Sequence, residues 1–163
     1  MIHLFFLYHL LSSTLFLKPT SSITLILQNS LARAVTKTPK FSHITQALKS
    51  LHWLKIKQRI EYKLMSITYT TLQQNKPHYI ANKLQLQPIG STRSSALVSL
   101  RRTSIRLQTG RRSFTFAAPY IWNSLPSTLR QPDPHSLSGP LAVARTTFHK
   151  QLKSNLFRQS FPP

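Results

Sequence analysis

Apolar residues recur at intervals of three and four along much of the chain, the spacing that lines one face of an α-helix. Leu27, Leu31, Ala34 and Val35 fall on one such face, with Ser21 or Ser22 placed to cap the helix and Pro39 to stop it. A short helix follows over about Ile44–Leu51, and a longer one over about Ile56–Gln73. The apolar stripe of the longer helix is Ile56, Ile60, Leu64, Ile67 and Leu72, while Lys55, Arg59 and Lys63, four apart, share another face. Pro77 stands where a proline opens a helix, at the head of "PHYIANKL".

Past Leu86 the helical period fades and Ser, Thr and Arg take over. Two short strands are expected there, Ala96–Leu100 and Ser104–Gln108, bounded by polar breakers. Gly110 supplies the backbone freedom of a turn before Arg111 and Arg112. The apolar segment Ser113–Asn123 reads as a helix, "RQPDPHSLSGP" as a loop. A last helix has Leu141, Ala144, Phe148, Leu152 and Leu156 on its buried side and Arg145, His149 and Lys153 in a neighbouring row. The fold class expected is mainly α: a small helical assembly with at most a short two-stranded β-hairpin, and irregular loops. Three segments are expected: an apolar leader over 1–22, a helical segment over 23–84, and a basic hairpin-and-helix segment over 85–163.

Charge changes this picture most. The 163 residues hold 22 Lys and Arg against two acids, a formal net charge of +20. A compact body of that charge repels itself unless it meets a polyanion. RNA or DNA, bound without sequence specificity, is the partner this favours; an anionic membrane comes second. The membrane enters only through residues 1–17, "MIHLFFLYHLLSSTLFL", which carry no charged side chain. The stretch is shorter than a spanning helix requires. It resembles the apolar region of a signal peptide but has no Lys or Arg before it. A signal peptide, a buried helix and an arbitrary leader stay open as readings. The chain has no Cys and no Asn-x-Ser/Thr sequon, which favours a nuclear or cytoplasmic product over a secreted one.

The acids bound the chemistry. Glu61 and Asp133 are the two carboxylates, one in a helical pattern and one in a Pro-rich loop far along the chain. Two-metal phosphoryl transfer and paired-carboxylate glycoside hydrolysis both need acids held together. No two of the seven His are spaced His-x3-His, no Gly-x-Ser-x-Gly elbow occurs, and the three Gly make no phosphate-cradling loop. The expectation is therefore no enzyme, no metal and no cofactor.

The candidate nucleic-acid contacts are Lys55, Lys57, Arg59 and Lys63; Arg101, Arg102 and Arg106; Arg111 and Arg112; and Lys150 and Lys153, with Arg158 close behind. A run of cations is ordinarily a solvated face, but here almost no acid balances it. Phosphate contact is the simplest use of such charge, and it carries no sequence information. Trp53, Tyr62, Tyr69, Phe114, Phe116, Tyr120 and Trp122 are either core residues or platforms on which bases stack.

Several short motifs stand in register. They are His43-Ile44-Thr45, Ser50-Leu51-His52-Trp53-Leu54, Arg59-Ile60, Pro77-His78-Tyr79-Ile80 and Arg93-Ser94-Ser95, then Ala117-Ala118-Pro119 and Trp122-Asn123-Ser124-Leu125-Pro126, and last Phe148, Leu152 and Leu156-Phe157. In this order, over about residues 25–157, the chain resembles the region downstream of the polymerase core in LINE-type, non-LTR retrotransposon reverse transcriptases. Polymerases of that family carry an acidic Tyr-x-Asp-Asp motif in the palm and an endonuclease domain upstream. This chain contains no Asp-Asp, so the resemblance transfers no catalytic role to any residue here. It implies a catalytically inactive fragment with residual nucleic-acid binding. The alternative is a small secreted or membrane-surface cationic protein that uses residues 1–17.

Overall fold

A computed structural model describes residues 18–88, 96–104, 106, 110, 113–133 and 140–162, with side chains from Ser22 onward in the first helix. The leader 1–17, Arg93-Ser94-Ser95, most of the second expected strand, Arg111 and Arg112, and the middle of the Pro-rich loop lie outside the described residues.

The protein is mainly α. Six α-helices occur among the described residues: α1 (Lys18–Thr36), α2 (Ile44–Ser50), α3 (Ile56–Gln74), the single turn α4 (His78–Ala81), α5 (Phe114–Asn123) and α6 (Arg145–Ser160). A 3-10 turn, Ser127–Leu129, follows α5. No strand is described. Ala96–Leu100 is not a strand among the described residues, and most of its expected partner lies outside them. Instead Leu100 forms an isolated antiparallel bridge with Leu86. Gln87 N donates to Ser99 O and Arg101 N to Gln85 O, while Val98 N donates to Arg130 O. The backbone groups of this segment are satisfied from two directions, so a regular ladder has nothing to add.

The helix ends follow local chemistry. Helix α1 starts at Lys18, so Ser21 and Ser22 sit inside it rather than capping it. Pro19 falls in the first turn, where its missing N–H is no loss. At the other end Lys37 adopts φ 52° and Thr38 N donates back to Arg33 O at 3.1 Å, with Pro39 next. Helix α2 closes in the same way, through His52 at φ 53° and Trp53 N on Leu48 O at 2.9 Å. Both are Schellman closures with a non-glycine residue in the left-handed position. Asn75, at φ 52°, ends α3. Helix α6 begins four residues after Leu141, the first residue of its expected stripe. Leu141 is buried, but in a bridge with Pro132, and Ala144 is exposed. That pairing, beside Pro140, competes with a helical start.

Contacts divide the chain into two compact units, a division that runs along other lines than the composition shift past Leu86. The first comprises residues up to Ile60 together with those from Leu156, the second Glu61–Asn155.

In the first unit α1 packs on α2. Helix α1 buries Thr24, Gln28 and Ala32, four apart, and leaves its apolar side outside. Ile23, Ile26, Leu27, Leu31 and Val35 are all exposed, from 41% for Leu31 to 63% for Ile26. Gln28 Nε2 donates to Leu54 O at 2.8 Å, both buried. Ala32 joins Leu48 and Phe161 in a small cluster, with Ile44, Leu51, Trp53 and Phe157 packed around it. Trp53 is only half-buried.

In the second unit the buried side chains include Leu64, Met65, Tyr69, Trp122, Leu129, Phe148 and Leu152. Phe148 stacks on Tyr69, with centroids 4.2 Å apart, and on Trp122 at 6.0 Å. Of the stripe expected on α3, Leu64 and Ile56 are buried, Ile67 and Leu72 half-buried and Ile60 exposed. Met65, Thr68, Tyr69 and Thr71 are buried instead, so the inward face is rotated by about one residue. The buried Thr68 is tolerated because its hydroxyl bonds back to Leu64 O at 2.9 Å. Side chains tie down the irregular segments. Gln73 exchanges two hydrogen bonds with the backbone of Leu141, Tyr69 Oη donates to Val143 O, and Trp122 Nε1 donates to Val98 O.

Candidate nucleic-acid interface

The candidate cations divide between the units. In the first, Lys55 supplies the carbonyl that accepts the first hydrogen bond of α3, from Arg59 N at 3.0 Å, and Lys57 follows in the first turn. Both side chains are exposed and Arg59 is half-buried. No acid sits in that first turn, so the positive end of the helix dipole adds to the side-chain charge. The Lys55 ammonium lies 5.3 Å from the Phe161 ring centroid. Arg158, in the last turn of α6, is exposed. A shallow cleft of about 390 Å³ is lined by Gln46, Lys49, Ser50, His52 and Phe157, with the His52 and Phe157 rings stacked at 5.6 Å.

In the second unit Lys63, Arg101, Arg102, Arg106, Lys150 and Lys153 are exposed. Arg102 lies over the Tyr120 ring, its guanidinium carbon 5.4 Å from the centroid. Tyr120 and Phe116, one helical turn apart on α5, hold their rings within 8° of parallel at 6.4 Å. With Thr103 and Ser104 these side chains line a cleft of about 230 Å³.

The aromatics named from sequence separate by burial. Trp122 and Tyr69 are core side chains, Tyr62, Phe114 and Phe116 are half-buried, and Tyr120 is 58% exposed. Tyr62 Oη is 3.1 Å from Nδ1 of His149. Burial, and then the nearby Arg145, hold the pKa of His149 below its ordinary value. That favours the neutral imidazole over the charged one in the row Arg145, His149, Lys153. Two further arginines serve the fold. Arg33 donates to Pro39 O beside its own helix end, and Arg130 donates through Nε to Leu125 O at 3.1 Å, its pKa lowered by burial.

The cleft was not read from sequence as a unit, although Arg102, Phe116 and Tyr120 were each named. The signal for it was the spacing of four between Phe116 and Tyr120 on a helix whose other face carries Trp122. Nothing in the sequence joined that pair to Arg102, because the link depends on Leu100 docking against Asn123. Among the described residues no group of His, Asp or Glu is arranged to hold a metal, and no helix is long and apolar enough to cross a membrane. Comparison with protein-family models, curated proteins and solved structures finds no match to this chain.

Proposed function

We propose that this chain binds RNA or DNA without sequence preference through its basic helical surface. We propose further that it corresponds to the region downstream of the polymerase core of a LINE-type reverse transcriptase and carries no catalysis of its own. One observation carries the binding half. Eight of the eleven candidate cations are exposed: Lys55, Lys57, Lys63, Arg101, Arg102, Arg106, Lys150 and Lys153. Against 22 Lys and Arg the whole chain has two carboxylates, so most of that charge needs an external anion. The family half rests on the motifs in register between residues 25 and 157.

A salt titration tests the binding. If six to ten cations reach phosphates, the logarithm of the binding constant falls against the logarithm of salt with a slope of about −4 to −9. Replacing one contacting cation flattens the slope by about one. A flat response toward both RNA and DNA overturns the reading. Magnesium-dependent extension of a primed template by the purified chain, abolished by replacing Glu61 or Asp133, overturns the absence of catalysis.

The exposed apolar side of α1 favours a second reading, a cationic protein lying on an anionic membrane. Just past the end of that helix come exposed Lys37, Lys40 and Phe41, and apolar and basic residues together suit an anionic membrane surface. Binding to anionic vesicles but not to neutral ones, outcompeting nucleic acid at matched salt, is the outcome it expects.

A further inference from the structure

We infer that the cleft between α5 and residues 101–104 receives an unpaired nucleobase, so that the chain favours single-stranded over duplex nucleic acid. This rests on the nucleic-acid reading above and adds to it a specific site.

The walls of the cleft are held in place without a ligand. Asn123, the last residue of α5, takes the Leu100 N–H on Oδ1 at 2.9 Å and gives Nδ2 to Leu100 O at 2.8 Å. Trp122 Nε1, fully buried, donates to Val98 O at 2.9 Å. These three bonds clamp the extended segment against the helix just before Arg101 and Arg102. A site set by such a clamp loses little freedom when it is filled.

The lining suits a base. Tyr120 is 58% exposed, on a helix that buries Ala118, Pro119 and Trp122. Phe116 adds a second ring, nearly parallel to that of Tyr120 and 6.4 Å away. The Arg102 guanidinium, flat and weakly hydrated, is suited to stack on a base and now lies over the Tyr120 ring, 5.4 Å from its centroid. Thr103 and Ser104 bring exposed hydroxyls, which give or take hydrogen bonds and so accept the edge of any base. Exposed Arg101 and Arg106 are near in sequence for the phosphates on either side. The volume, about 230 Å³, lies below the range of sites for drug-sized ligands and matches one planar group. A base inside a duplex has both faces covered and cannot enter; a base in a single strand has them free.

The test uses the full chain with poly(U) RNA, oligo(dT) and a duplex DNA of random sequence, at one salt concentration and then along a salt series. Tyr120→Ala is expected to weaken binding to both single strands by about 5- to 150-fold, the range measured when a stacked base loses its aromatic partner. Duplex binding and the salt slopes stay as in the wild type, because phosphate contacts remain. Tyr120→Phe keeps the ring and keeps the affinity. A strand bearing a stacking-sensitive fluorescent adenine analogue responds to the wild type and to Tyr120→Phe but not to Tyr120→Ala. Equal loss on single strand and duplex, or no loss on either while steep salt-dependent binding persists, overturns the cleft alone. Absence of salt-dependent binding in the wild type overturns the cleft and the nucleic-acid reading together.

Discussion

Helices α1 and α6 both carry an apolar stripe, and the protein treats them oppositely. In α6, Phe148, Leu152 and Leu156 are between 0% and 2% exposed. In α1, Leu27 and Leu31 are 47% and 41% exposed, while Thr24 and Gln28, three residues before each of them, are 5% exposed. A stripe states that a face gains from cover. It does not state that this chain supplies the cover. Phe148 has two aromatic neighbours to stack on, Tyr69 and Trp122. Helix α1 meets α2 through Ala32, whose small side chain allows close approach, and the segment after α2 through Gln28, whose amide satisfies the Leu54 carbonyl. The close approach and the buried hydrogen bond decide its orientation, and the larger apolar side is left over.

The sharpest way to break the comparison is at Phe148. Phe148→Ala removes a fully buried ring and is expected to destabilise the second unit by about 3–5 kcal/mol, read from urea or thermal unfolding. Trp122→Ala is expected in the same range. Trp53→Ala would match them only if Trp53 were fully buried; half-buried as it is, it falls below them. Trp53 equal to Trp122 would mean that the first unit has a core as firm as the second.

Next in size is Gln28. Gln28→Ala leaves the buried Leu54 carbonyl without its donor, at a cost of about 1–3 kcal/mol. Gln28 Oε1 is itself buried with no hydrogen-bond partner among the described residues, which takes back part of what the amide contributes. A loss near zero would show that the polar face of α1 is not what anchors it, and the orientation argument would fall.

These two sites also show how far the sequence could be read. The period of three to four located α2, α3 and α5 within about a residue, because the spacing of apolar residues is a local signal. Phe148, Leu152 and Leu156 were legible as an inward face for the same reason. The side on which α1 packs was not legible: a Gln amide reaching Leu54, 26 residues away, leaves no periodic mark. The partners of Ala96–Leu100 were not legible either. Ala96–Leu100 has strand composition, but its partners are Leu86 and Arg130, chosen by tertiary contacts that include the Asn123 clamp. Of the candidate site, the charge and its exposure could be read directly, since Lys and Arg without acids have few places to go. The internal duties of Arg33 and Arg130, and the lowered pKa of His149, depend on burial and could not.

His149 gives a smaller and conditional effect. Its folded pKa lies below the ordinary 6.5, through burial and then Arg145. The folded state therefore takes up a proton less readily than the unfolded one. The contribution is complete above about pH 6.5 and is lost as the pH falls through that value, levelling off below the depressed folded pKa. His149→Gln should flatten this part of the curve, measured as the urea midpoint across a pH series. An unchanged slope would place the imidazole in water and remove its hydrogen bond to Tyr62 from the description of the second unit.

The smallest expected effect bears most directly on the comparison. Ile26→Gln and Leu27→Gln, made together, put two amides on the exposed side of α1. Gln is a good helix former, so the backbone has no reason to object. If the face is open to water, no packed contact is lost, and stability should stay within about 0.5 kcal/mol of the wild type. Solubility should rise, since a contiguous apolar patch has been interrupted. The same pair placed at Phe148 and Leu152 would unfold the second unit, and that contrast is the experiment. A large loss from the α1 pair would mean that something in solution covers the face, and the difference between the two helices would be one of partner rather than of fold. Vesicle binding measured on the same variant then separates the membrane reading from the nucleic-acid one. Anionic-lipid affinity carried by this face drops with the two amides, whereas the salt-dependent affinity for RNA, carried by Lys and Arg elsewhere, does not.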